Sequence, residues 1–87
     1  MSNVSEFAAI LMSIKGHYLT THSGAVRFIP LGYHSGLESA TNYACQFLDA
    51  TEIYGGVLKA KKSRRYWVTH RDDVDKVKNE LADVSEA

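Results

Sequence analysis

Val4-Ser5-Glu6-Phe7-Ala8-Ala9-Ile10-Leu11-Met12-Ser13-Ile14 lies near the start of the sequence, and how it folds determines what the later segments pack against. Val4, Phe7, Ala8, Leu11 and Ile14 recur at three- and four-residue steps, the spacing of one apolar stripe on a helix. Asn3 is placed to cap that helix, with Glu6 three positions on as the partner in a capping box. Gly16 stands where a left-handed residue ends a helix. The spacing predicts a helix over 3–15.

Beyond it, Tyr18–Thr21 and Ala25–Ile29 are rich in β-branched and aromatic residues, and His22-Ser23-Gly24 supplies a turn between them. This predicts a β-hairpin whose second strand Pro30 closes, with a loop from Gly32. Ser35-Gly36-Leu37-Glu38 fits a second capping box. Leu37, Ala40, Ala44, Phe47 and Leu48 form a stripe behind it, so a helix is expected to about Ala50. Thr51–Tyr54 reads equally as its frayed end or a short strand, and Gly55-Gly56 breaks the chain either way.

Val57–Ala60 and Arg65–Thr69 predict a second hairpin with its tip near Lys61–Arg64. With Ala60 opposite Arg65, Leu58 and Trp67 share one face, and Val57, Lys59, Tyr66 and Val68 the other. A slip of one residue changes that sorting. Val74, Val77, Leu81 and Val84 give a last helical stripe, with Asp72 or Asp73 as its cap. The expected order is αββαββα in a single α+β domain over 1–87, its antiparallel hairpins forming a small sheet covered by helices.

The charges are unevenly spread. The ten Lys and Arg balance the ten Asp and Glu, yet six of the cations fall between Leu58 and Arg71. Acidic residues crowd into the segment that follows. A neutral total therefore does not exclude a nucleic-acid partner, because the local field steers an anion more than the net charge does. Lys59, Lys61, Lys62, Arg64, Arg65 and Arg71 are candidate contacts to phosphates, with Tyr66 and Trp67 as stacking or positioning residues. The plainer reading is a solvated tip whose charges prevent edge-to-edge aggregation. An acidic C-terminal helix folded back on the hairpin would mask it.

Other chemistry has less behind it. His34-Ser35-Gly36 at a helix start offers free amides to a phosphate or carboxylate, although turn and cap chemistry explains the same residues. The four histidines and Cys45 show no metal-ligand spacing, so no metal or cofactor is expected. No nucleophile motif or phosphate loop is present, and the chain reads as non-enzymatic.

A single cysteine suits a reducing cytoplasm. The first residues lack a basic n-region, and no apolar run is long enough to span a membrane. Trp67–Val74 resembles the end of an excisionase-type winged-helix domain, but Gly55-Gly56 arrives where that family has its recognition helix. No family assignment follows. The expectation is a cytoplasmic binding protein that engages nucleic acid, DNA above RNA, and acts by occupancy. The alternatives are a small phage-type inhibitor or adaptor with an acidic protein surface as partner, and an anion- or nucleotide-binding protein built on His34-Ser35-Gly36. The oligomeric state, homodimer included, is left open.

Overall fold

The computed structural model describes residues 3–76. Its elements are β1 (Ser5–Met12), β2 (Phe28–His34), α1 (Leu37–Leu48), β3 (Thr51–Tyr54), β4 (Val57–Lys59) and β5 (Arg65–His70). Short 3-10 turns cover Lys61–Ser63 and Arg71–Asp73. The strands form one antiparallel sheet in the order β2-β1-β5-β4-β3. The protein is α+β as expected, but the order is not αββαββα.

The largest correction falls on the first segment. It is a strand, not a helix, and lies between β2 and β5. Phe7, Ala8, Ala9 and Ile10 are all fully buried. A single helical stripe would leave Ala9 and Ile10 off the core. The unbroken apolar run Phe7–Met12 instead suits a central strand covered on both faces. Phe7 and Ala9 join Leu31, Ala40, Ala44, Leu58, Tyr66 and Val68 under α1. Ala8 and Ile10 join Val26 and Val74 on the opposite face, with Met12, Tyr18, Phe28 and Trp67 packed around them. Gly16, at φ +90°, completes a tight turn after a strand, and its N–H donates to the Ser13 carbonyl at 3.0 Å.

The segment 18–27 is not a regular hairpin. It makes isolated bridges, Met12 with Tyr18 and Thr20 with Val26. The strand after it starts at Phe28 and continues through Pro30 and Gly32, where the sequence suggested an end and a loop. An edge strand tolerates proline. Phe7 pairs with Gly32 and Ala8 with Pro30, leaving Leu31 as the extra residue of a bulge that turns it into the core. Gly32 takes the positive φ there, +80°.

α1 packs Ala40, Thr41 and Ala44 on the sheet, where small side chains permit close approach. The expected stripe is only partly right, since Leu37 and Phe47 are exposed. The helix starts from Gly36 with no side-chain cap, and Asp49 ends it in the left-handed region at φ 53°. Thr51–Tyr54 resolves as strand, with all four residues exposed at the sheet edge. Gly55-Gly56 makes the turn into β4.

The second hairpin forms, one residue away from the expected register. Lys59 pairs with Arg65, Leu58 with Tyr66 and Val57 with Trp67. Leu58, Tyr66 and Val68 therefore face α1, and Trp67 points to the other side. Val74 is buried as the final stripe requires, while Val77, Leu81 and Val84 lie outside the described residues.

Candidate nucleic-acid interface

The loop joining β4 to β5 gathers cations because the chain reverses within five residues, Ala60 to Arg64. The Ala60 N–H donates to the Arg64 carbonyl at 2.8 Å, and the Arg64 N–H donates to the Lys61 carbonyl at 3.3 Å. Between them Lys62 and Ser63 both take φ 62°, a left-handed conformation that non-glycine residues seldom adopt. Lys59, Lys61, Lys62, Arg64 and Arg65 thus meet at one end of the sheet.

Their environments differ. Lys61 Nζ lies 3.0 Å from Asp49 Oδ2, and both side chains are well exposed, so salt screens the pair strongly. Lys59, Lys62 and Arg64 are exposed, and no carboxylate pairs with them among the described residues. Arg65 is half-buried and its Nε is shielded from water with no acceptor among the described residues. Arg71 does not belong to this group. It sits past the far end of β5, roughly 20 Å from Arg65 at strand rise, with its guanidinium 4.4 Å from the centre of the Phe28 ring.

The two aromatics expected to stack on bases or to position the hairpin lie in or against the two cores. Tyr66 is 7% exposed and belongs to the core beneath α1, so its ring is not available to stack on a base. Trp67 is half-buried against the opposite core. The sequence also missed Arg27. Arg27 reaches the hairpin tip through the fold, and with Arg64 and Arg65 it lines a cleft of about 270 Å³. Nothing in the pattern Val26-Arg27-Phe28 signals that meeting.

His34 is engaged within the protein. Its Nε2 lies 2.7 Å from the Leu31 carbonyl, and its Nδ1 lies 3.5 Å from Ser39 Oγ. Donation from Nε2 to the carbonyl leaves Nδ1 to accept from the serine. Ser35 and Gly36 border a depression of about 380 Å³ that Glu38 also lines, and a carboxylate there opposes an anion. Among the described residues no three His, Cys, Asp or Glu side chains gather as metal ligands, and Cys45 is a half-buried free thiol. No described helix is long and apolar enough to cross a membrane. The acidic segment expected to mask the hairpin lies mostly outside the described residues; within them, Asp73 pairs with Lys76 at 3.4 Å.

Comparison with known proteins yields no match to a family model, a curated protein or a solved structure.

Proposed function

We propose that this protein binds nucleic acid through the cationic end of its sheet and acts by occupying a site rather than by catalysis. The observation that carries this reading is the cluster of Lys59, Lys62 and Arg64, exposed and without carboxylate partners among the described residues, beside the arginine-lined cleft. Exposed lysines on the hairpin tip suit phosphates whatever the base sequence. With Tyr66 in the core, the contact is electrostatic, and Trp67 serves to hold β5 in place. Its test is a mobility shift on a mixed-sequence oligonucleotide at low salt. Replacing Lys59, Lys62 and Arg64 with Gln should weaken the shift at least tenfold while the melting temperature stays within a few degrees. An intact shift in that variant would remove the hairpin from the interface.

A docking protein is the second reading, and a different surface favours it. Tyr43 and Phe47 stack on the outer face of α1 with ring centres 5.6 Å apart, and they are 43% and 57% exposed. An exposed aromatic pair of this kind suits a protein partner. Under that reading Phe47→Ser abolishes binding to the partner, and the hairpin variant does not.

A further inference from the structure

We infer that the Arg27–Arg64–Arg65 cleft is a phosphomonoester pocket that receives the phosphorylated end of a nucleic-acid strand. This rests on the nucleic-acid reading above and assigns one of its contacts. Three arginines line the cleft, and no acidic residue does among the described residues. Each guanidinium presents a planar fork of donors suited to paired oxygens. An internal phosphodiester carries one negative charge and two free oxygens, too few for three such forks. A terminal phosphate carries nearly two charges and three free oxygens at neutral pH. The lysines stand outside this cleft, on the exposed tip.

The walls of the cleft are held in place before any ligand arrives. Leu11, Leu19 and Arg27 all line it, and their backbones close a ring. The Leu19 N–H donates to the Leu11 carbonyl at 2.9 Å, the Arg27 N–H to the Leu19 carbonyl at 2.9 Å, and the Leu11 N–H to the Arg27 carbonyl at 3.0 Å. Arg65 is fixed from both sides, paired with Met12 on β1 and with Lys59 on β4. Sites built on such paired backbone hold their side chains in register with a ligand. Arg65 also keeps its Nε out of water with no acceptor among the described residues, an arrangement that costs stability.

The surroundings suit a polymer end. A depression of about 580 Å³ shares Leu11, Arg27, Arg64 and Tyr66 with the cleft and continues over Thr21 and Ala25. It gives the nucleotides behind the phosphate a path along the surface.

The experiment is fluorescence anisotropy with single-stranded oligonucleotides of one sequence, carrying a 5′-phosphate, a 3′-phosphate or hydroxyls at both ends. One of the phosphorylated forms should bind the wild type about tenfold more tightly than the hydroxyl form. Arg27→Gln and Arg65→Gln should each bring that ratio close to one. Arg65→Lys, which keeps the charge and loses the fork, should lower the ratio several-fold and serves if the Gln variant is unfolded. Lys59→Gln combined with Lys62→Gln should weaken all three oligonucleotides and leave the ratio standing. Equal binding of all three by the wild type overturns the pocket and leaves the hairpin reading in place. Binding of none overturns both.

Discussion

Ser63 and Lys62 hold left-handed backbone without being glycine, and each L side chain in that region costs about 1–2 kcal/mol. The strain sits at the cationic tip, where it points Lys62 and Arg64 outward. Ser63 contributes no charge, so it is the residue to relieve. Ser63→Gly should stabilise the protein by about 0.5–1 kcal/mol, after glycine's added freedom in the unfolded chain is subtracted. A thermal melt should show a rise of a few degrees. Gly56 presents the opposite case. Its φ is +81°, and a Cβ there would lie 3.3 Å from the Val68 carbonyl oxygen. Gly56→Ala should cost about 1–3 kcal/mol by denaturant titration. That Gly55-Gly56 would mark a turn was legible in the sequence, because only glycine enters such conformations cheaply. That Lys62 and Ser63 would share the left-handed region was not, since neither residue type advertises it.

Among the elements, β1 separates the helical from the extended reading by experiment. A helical stripe places Ile14 in the core, whereas the strand buries Ile10 completely and leaves Ile14 60% exposed. Ile10→Ala should therefore cost about 2–5 kcal/mol, and Ile14→Ala should stay within about 0.5 kcal/mol. The two costs reversed would restore the helix. The sequence was ambiguous here for a physical reason. A continuous apolar run contains every spacing at once, helical ones included, and only the tertiary partners reveal that both of its faces are covered. β2 was hidden differently, since Pro30 and Gly32 break strands except at a sheet edge and a bulge. α1 was readable from the three- and four-residue spacing of its apolar residues, and the β4–β5 hairpin from Gly55-Gly56 before it and the charged tip Lys61–Arg64 between two apolar runs. The hairpin's register was not, and its shift by one residue put Leu58 on the face of Tyr66 and Val68 in place of the face of Trp67.

For the whole molecule, a balanced formal charge coexists with cations concentrated at one end of the sheet. Binding driven by that end should weaken steeply as salt rises, with the logarithm of affinity falling by about 0.7 per phosphate neutralised on a single strand. Removing Lys59 and Lys62 together should flatten the slope by about 1.4 if each neutralises one phosphate. An unchanged slope in a salt titration of the double variant would place neither lysine on the backbone. The position of Arg27 in this field could not be read from the sequence, because it depends on chain return from a distant segment. Arg71 illustrates the converse. Its closeness to the other cations along the chain suggested one group, and a rigid strand carries it to the other end.

The closed ring of Leu11, Leu19 and Arg27 has a consequence for how the protein breathes. Each amide is released only when a neighbour in the ring lets go, so the three should exchange with deuterium as a single cooperative unit. Leu19→Pro deletes one donor and should make the remaining two amides fast together, while the amides of Val68 and Ala44 keep their slow rates.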